Sequence, residues 1–414
     1  MKAKGSFIKY ISGICMIAVL SGCSLFVPQN ESVNTSAAAE EDDFKQAQLD
    51  KIEHDNAILA FAVNIDGGDI DTIAREGDNE PLYFDYKSNG FPISTAWVKS
   101  DCSIFTIDRN GNGIIDDGTE LISFDYEYDY LDNILSQFSK LDENADGVFS
   151  EADSEFKNIL LWQDKNENAV CDADDKVTSI GDSGITEIEL AYEPKSEFDD
   201  NDIEHIASFS IKKDTEIINA EAVLLDILSF KTIETDILPV PDDIEILPDI
   251  ENYGCARSLH QAMVRDDHLK LLVLKLCVES DKEERNKLFD EIMYTWAGVA
   301  DNPVDGRGPY IDDGRKIDAL NVFYNLTAGF LDENGNASPI PGKEDAEDML
   351  NVYNNIKGTF YRDAMLSIFA QYKDFDNVDK NDPEIVYETL ISIAKRENEP
   401  EIVEYLEEKL QEIE

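Results

Sequence analysis

Asp142, Asn144, Asp146, Ser150 and Asp153 occupy positions one, three, five, nine and twelve of a single run, with Gly147 at position six and Val148 at position seven. Alternate spacing in a tight loop turns such side chains toward one centre. All of them offer oxygen, and a hard cation such as Ca²⁺ takes about six to eight oxygen ligands at about 2.3–2.6 Å. Val148 would contribute its backbone carbonyl, and Ser150 would act directly or through water. Gly147 stands where such a loop needs a positive φ. Asp153 stands where a longer Glu is usual, which predicts incomplete bidentate closure and weaker binding.

Two further runs repeat the arrangement. The first carries Asp108, Asn110, Asn112, Gly113 and Asp116, with its closing acid, Glu120, one residue later than in the second run. The third carries Asp164, Asn166, Asn168, Asp172 and Asp175, with Ala169 in place of the turn glycine, a costly substitution in left-handed geometry. Asn64 to Asp69 and Asp85 to Gly90 are eroded copies, and Lys87 would put an ammonium on a ligand position in the latter. A single Asp-x-Asn run is as readily a turn as a metal site. Three between Ile104 and Asp175 point to metal, ranked second, first, third.

The elements that must hold these loops follow from local pattern. Leu131, Ile134, Leu135, Phe138 and Leu141 have helical spacing ahead of the second loop. Ser150 with Asp153 resembles the start of an exiting helix with Phe156, Ile159 and Leu160 as its apolar face. AILAFAVNI, IFTI and the run Ile159 to Trp162 favour strands, as do HIASFSIKKDTEI and NAEAVLLDILSF around a Lys-Lys-Asp turn. LPVPDDIEILPD, with its three prolines, ends a domain. Beyond Tyr253 the pattern is helical. Leu271 to Val278 predicts a central buried helix, Ser280 with Glu283 a capping box, and Leu288, Ile292 and Trp296 a core stripe. Val322, Phe323, Leu326 and Phe330 repeat that stripe. Asp382-Pro383 fits a helix cap followed by proline at the first helical position, and a charged helix from Glu401 closes the chain. Asp332 to Asn336 is another acidic run, read as a loop.

Composition narrows the partners. In 414 residues, 89 Asp and Glu stand against 35 Lys and Arg, a formal net charge of -54. Nucleic acid and anionic membrane surfaces would be repelled. The hydrophobic content of 42% is too high for simple disorder. Lys2, Lys4 and Lys9, then the apolar stretch Tyr10 to Leu20, then Leu20-Ser21-Gly22-Cys23 read as a secretion signal ending in a lipobox. This predicts lipidation of Cys23 and an envelope location, with the outer membrane or surface favoured over the inner membrane by Ser24. A polar stretch to about Gln48 would be the tether.

Cys102, Cys171, Cys255 and Cys277 remain beyond Cys15 and Cys23. Their pairing is open to any of three full connectivities or to free thiols. No CxxC occurs, and the four His at 54, 205, 260 and 268 are scattered, so zinc is disfavoured. Gly181-Asp182-Ser183-Gly184 echoes a serine-protease tetrapeptide, but without a positioned His it reads as a turn before the strand Ile185 to Leu190.

TAWVKSDCSIFTIDRNGNGIIDDGTEL, LDENADGVFSEAD, ILLWQDKNENAVCDADD and GITEIELAY resemble the segment preceding the repeats of large RTX (haemolysin-type) calcium-binding proteins of the iron-regulated, self-processing type. ENYGCARSLHQAM and LFDEIMYTWAGV extend the likeness into the helical part, so that it covers roughly Ile65 to Phe375. The resemblance implies calcium-induced folding and, in some relatives, calcium-triggered cleavage of an Asp-Pro bond. The matching place here is Leu59-Ala60, where no Asp-Pro stands, and the glycine-rich repeats are missing.

The sequence therefore predicts an α+β protein. Residues 1–23 would be the signal, 24–50 the tether, 51–195 an EF-hand-like calcium-binding domain, 196–250 a strand pair with Pro-rich linker, and 251–414 a helical domain. The expected function is calcium binding by a lipid-anchored bacterial envelope protein without catalysis. Its helical part would be a scaffold or would bind an envelope or surface protein. Calcium-dependent self-processing and an adhesin or assembly role are the alternatives.

Overall fold

The computed structural model describes residues 57–75, 80–123, 134–325, 330–331, 337–375, 378–380 and 382–413. The signal, Cys23, the tether, Leu131, Leu326 and the acidic run 332–336 lie outside the described residues. The chain divides into one compact unit ending at Thr235 and another beginning at Asp236. Sheet and helices segregate between them, giving the α+β class. No helix among the described residues is long and apolar enough to cross a membrane.

The first unit is built on β1 (Ala57–Val63). Next in the chain come β2 (Thr72–Ile73), β3 (Leu82–Phe84), β4 (Ile93–Thr95), β5 (Trp97–Val98) and β6 (Ser103–Thr106). Helix α1 (Ser136–Leu141) precedes β7 (Val148–Ser150), β8 (Leu160–Gln163) and β9 (Lys176–Ser179). The unit closes with three long strands, β10 (Ile185–Phe198), β11 (Glu204–Lys213) and β12 (Glu216–Thr232). The main sheet runs β7-β10-β11-β12-β1-β6-β8-β9, with β4 also on β12 and β3 on β4, and its pairings are antiparallel.

β1 is central, paired with β12 from Ala57↔Asp226 to Val63↔Ala220 and with β6 on its other edge. Its side chains alternate between two cores. Leu59, Phe61 and Val63 join Phe138, Phe149 and Phe209 on one face. Ala60 and Ala62 face Trp97, Trp162 and Phe84 on the other. A strand covered on both faces needs no polar alternation, which explains the unbroken apolar run of β1.

The strands read from the sequence as a pair ahead of a linker are thus structural centre. β11 and β12 join through the turn at Asp214 and carry the sheet from β10 to β1. The 51–195 boundary cuts this sheet, because a pattern read locally cannot tell that β12 pairs with β1. The compact unit runs on to Thr235, and the Pro-rich segment follows.

The second unit contains α2 (Asp242–Glu245), α3 (Leu259–Arg265), α4 (Asp267–Val278), α5 (Lys282–Trp296) and α6 (Arg315–Phe323). A small ladder of β13 (Phe330–Leu331) and β14 (Ala337–Ser338) follows, then α7 (Lys343–Phe369), α8 (Pro383–Arg396) and α9 (Pro400–Ile413). Trp296, Phe323 and Phe360 meet at ring separations of 5.1–5.3 Å. Gly254 has φ +57°, and a Cβ there would stand 2.2 Å from the Phe323 carbonyl oxygen, so no larger residue fits without moving backbone. Helix α4 is amphipathic rather than wholly buried: Leu269, Leu272, Val273 and Leu276 are inside, while Leu271, Leu274 and Val278 are exposed. The cap of α5 is Asp281, whose carboxylate accepts from Glu284 N, one residue later than the Ser280 box. Asp382 caps α8 as expected, accepting from Ile385 N with Pro383 following.

Phe138 is fully buried, with ring centres 5.2 Å from Phe61 and 5.5 Å from Phe105. Truncation to Ala should cost about 3–5 kcal/mol. Urea unfolding of Phe138→Ala should show a lower midpoint at unchanged slope.

At the far end of β11, His205 Nδ1 lies 2.5 Å from Glu221 Oε2, and its Nε2 is 3.6 Å from Asp199 Oδ2. Lys195 Nζ meets Glu221 Oε1 at 2.5 Å. The bond to Glu221 raises the His205 pKa above its ordinary value against the opposing effect of burial. A raised imidazole pKa stabilises the fold fully below the unfolded value of about 6.5 and loses that contribution as pH rises through the folded value. The melting temperature should therefore drop as pH is raised from about 6.5, and His205→Gln should flatten the drop.

Candidate metal centre

The three acidic loops share one hydrogen-bond framework. In each, the leading carboxylate accepts the backbone N–H five residues on: Gly113 to Asp108 at 2.9 Å, Gly147 to Asp142 at 3.0 Å, Ala169 to Asp164 at 2.7 Å. The fifth-position oxygen accepts two residues on, from Ile114, Val148 and Val170, onto Asn112, Asp146 and Asn168. The closing carboxylate reaches back to the residue after the leading Asp. Arg109 N donates to Glu120 at 3.1 Å, Glu143 N to Asp153 at 2.9 Å and Lys165 N to Asp175 at 2.9 Å. Its second oxygen accepts from the ninth position, Asp116, Ser150 and Asp172.

The backbone repeats as well. Positions four and six have positive φ in every loop: Gly111 and Gly113, Ala145 and Gly147, Glu167 and Ala169. The displaced acid of the first loop is brought into place by a 3₁₀ turn, Gly118–Glu120, capped by Asp117 on Thr119 N. Gly118 is required there, because a Cβ would lie 2.1 Å from the Tyr86 carbonyl oxygen. Ala169 does adopt the left-handed conformation and is buried among Trp97, Trp162 and Ile115, so packing of its methyl group offsets the strain. Asp85 keeps the first half of the pattern, accepting from Asn89 N and Gly90 N with positive φ at Ser88 and Gly90.

The loops differ in what flanks them. Helix α1 enters the second loop, as the apolar spacing predicts. The exiting helix is not formed: a single 3₁₀ turn, Phe156–Asn158, leads directly into β8. Phe156, in that turn, and Ile159, just before β8, are both buried in the sheet core. Val148, the seventh-position residue, belongs to β7 and pairs with Glu189. The third loop is tied to the core by Asp175, whose Oδ2 accepts from Trp162 Nε1 at 2.8 Å.

The donor set is all oxygen: Asp, Glu, Asn, Ser and backbone carbonyl. That chemistry fits Ca²⁺. Among the described residues no three His, Cys, Asp or Glu side chains converge as they would about a metal ion. In the first loop the amides of Asn110 and Asn112 donate to Asp116, and in the third Asn166 and Asn168 donate to Asp172. These bonds draw the ninth-position carboxylate to amide nitrogens. The second loop differs: Asp142 Oδ1 is buried and takes no hydrogen bond, while Oδ2 is bonded to Gly147 N. An orphaned carboxylate oxygen is costly and is the atom that a cation would satisfy. Glu120, Asp153 and Asp164 are each nearly or fully buried. Burial pushes the Glu120 and Asp164 carboxyl groups above their ordinary range, against the lowering effect of backbone N–H donors.

The other sequence candidates separate from this centre. Ser183 donates to Ile180 O in the turn before β10. No disulfide joins the four cysteines: Cys102 is buried, with its thiol pushed up to about 12 chiefly by burial, and Cys255 Sγ lies 3.0 Å from Asn325 Oδ1. Sequence spacing missed the recurring acceptance of the second residue's N–H by the closing acid, since a backbone donor leaves no residue-type signal.

Residues 39–226 match the SPM domain family model, a span that includes all three loops and most of the sheet. Over 247 residues, 58% of the chain, the sequence is 26% identical to the iron-regulated protein FrpA of Neisseria meningitidis serogroup C. The chain is related to FrpA but spans only 22% of that protein's length.

Gly147 has φ +86° with open space where a Cβ would stand. Gly147→Ala should therefore cost about 1–2 kcal/mol from backbone strain alone. Chemical denaturation in chelator isolates that cost from any effect on metal.

Proposed function

We propose that this chain is a calcium-binding protein of the bacterial envelope, anchored by lipid on Cys23, whose acidic loops stiffen on binding Ca²⁺. The observation that carries the reading is the repetition of one framework in three loops, each presenting oxygen at positions one, three, five and nine and a closing acid. Asp142, Asn144, Asp146, Ser150, Asp153 and the Val148 carbonyl would hold one ion. Asp108, Asn110, Asn112, Asp116 and Glu120 would hold a second, and Asp164, Asn166, Asn168, Asp172 and Asp175 a third. The second loop binds first on this reading, because its orphaned Asp142 oxygen gains most. The other two must first release the amides from Asp116 and Asp172 and turn carboxamide oxygens inward.

Bound calcium would supply the positive charge that clustered carboxylates lack, coupling binding to folding. Affinities in the range of extracellular modules, about 10⁻⁴–10⁻³ M, are expected. The relationship to FrpA and the lipobox pattern support the envelope setting. The helical unit would serve as scaffold or partner-binding module. The reading assigns no catalysis: Leu59 and Ala60 stand mid-strand in β1, paired with Leu224 and Val223, and neither offers a carboxylate.

Residues 24–414 should melt at higher temperature in excess calcium than in chelator, with a change in tryptophan emission as Asp175 is drawn from Trp162. Calorimetry of a double variant, Asp142→Ala with Asp146→Ala, should lose one binding event. An unchanged melt or unchanged stoichiometry overturns the assignment. Discrete fragments on a gel after incubation with calcium would establish self-processing instead.

A further inference from the structure

The first acidic loop holds two Asn-Gly steps in succession, Asn110-Gly111 and Asn112-Gly113. A main-chain nitrogen can attack the carboxamide carbon of the residue before it. Glycine obstructs that attack least, because it has no Cβ. Both steps are exposed, so water reaches them. Gly111 and Gly113 have φ +72° and +86°, each with open space where a Cβ would stand.

The hydrogen bonds at both steps run in the direction the attack needs. The attacking nitrogens, Gly111 N and Gly113 N, donate to the Asp108 carboxylate at 2.7 and 2.9 Å. The oxygens on the attacked carbons, Asn110 Oδ1 and Asn112 Oδ1, accept from Asn112 N and Ile114 N, each at 2.9 Å. Donors so placed stabilise negative charge that develops on those oxygens. The other two loops polarise their carboxamides in the same way: Asn144 accepts from Asp146 N and Asn168 from Val170 N, both at 2.8 Å. There the next residues are Ala145 and Ala169, whose methyl groups stand in the way. The eroded copy matches the first loop: Gly90 N donates to Asp85 at 2.7 Å, and Asn89 Oδ1 accepts from Phe91 N at 3.1 Å.

We propose that the first loop is a site of spontaneous covalent modification, at which Asn110 and Asn112 pass through a succinimide to aspartate or isoaspartate whenever no cation occupies it. The glycine nitrogen bonds to the Asn Cγ and the Cγ–Nδ2 bond breaks. The proton lost by the glycine nitrogen balances the one that Nδ2 gains as ammonia departs. Water then opens the ring. Opening at Cγ gives aspartate, a new carboxylate at a ligand position. Opening at the main-chain carbonyl gives isoaspartate, whose backbone runs through the side chain and is one carbon longer, so that the loop no longer fits its closing acid. A cation on the two Oδ1 atoms holds the carboxamides inward and keeps their carbons from the next nitrogen. That protection rests on the calcium reading above; the modification in chelator does not.

Residues 24–414 would be held at neutral pH and body temperature in chelator or in excess calcium, then peptide-mapped by mass spectrometry with isoaspartyl methyltransferase labelling. In chelator Asn110 and Asn112 should convert about tenfold or more faster than Asn144 and Asn168. Calcium should slow Asn110 and Asn112 by a similar factor and leave Asn89 unchanged, since Lys87 stands at a ligand position in that copy. Gly111→Ala with Gly113→Ala should silence both sites; Ala145 and Ala169 hold positive φ at the same loop positions, so the variant keeps the fold. Conversion of Asn110 and Asn112 no faster than that of Asn144 and Asn168 overturns the proposal. Slowing by calcium that is equal at Asn89 overturns protection by ligation. So does a melt that calcium raises without slowing Asn110 and Asn112. Neither a raised melt nor slowing overturns the calcium reading instead, and conversion in chelator still decides the modification.

Discussion

The loop-rich unit depends on backbone N–H groups aimed at carboxylates. A chain of net charge -54 that buries Glu120, Asp153 and Asp164 must compensate each charge, and among the described residues no lysine or arginine forms an ion pair with them. Instead each closing acid collects two or three main-chain donors, and each leading acid at least one more. Hydrogen bonds to an ionised acceptor are about twice as strong as neutral ones. They set the loop shape, which in turn demands positive φ at positions four and six. Glycine serves at Gly111, Gly113 and Gly147; where Ala169 stands instead, burial of its methyl group in the Trp97–Trp162 core offsets the strain.

This framework is anchored from below by the sheet. The same acid that closes the third loop holds the Trp162 indole, and the first loop is pinned by Gly118 against Tyr86. Loop geometry and core packing are therefore one problem: the first and third loops leave from β6 and β8, adjacent strands of a sheet covered on both faces, and the second runs from α1 into β7 of the same sheet. Charge neutralisation within the loops would be felt directly in the aromatic core. A short, twofold-buried β1 makes the arrangement sensitive, since each of its residues packs against one core or the other.

Much of this was legible from residues. The repeat of the acidic loops, the helix leading into the second loop, the strands at AILAFAV and LLWQ, the hairpin at Lys213 and the Asp382 cap all follow from spacing and local propensity. Three features did not. Phe156, Ile159 and Leu160 predict an exiting helix, but Phe156 and Ile159 serve the sheet core from a 3₁₀ turn and the residue after it, and the chain passes into β8 at Leu160. The 196–250 segment reads as a strand pair with linker, separate from the loop domain, because β1 and β4, which pair with β12, lie more than a hundred residues away in sequence. The buried helix at Leu271 to Val278 was overread, since hydrophobicity without the packing partners does not reveal that Leu271, Leu274 and Val278 face outward.

The helical unit solves the burial of charge by the opposite route. There Arg285 is buried with Glu399 and held also by the carbonyls of Glu279 and Glu397 and by Tyr361. A buried pair of this kind contributes little net stability, but removing one member costs about 3–5 kcal/mol because the other is left uncompensated. Such a cluster fixes geometry rather than adding strength. It locks the start of α5 to the segment that leads into α9.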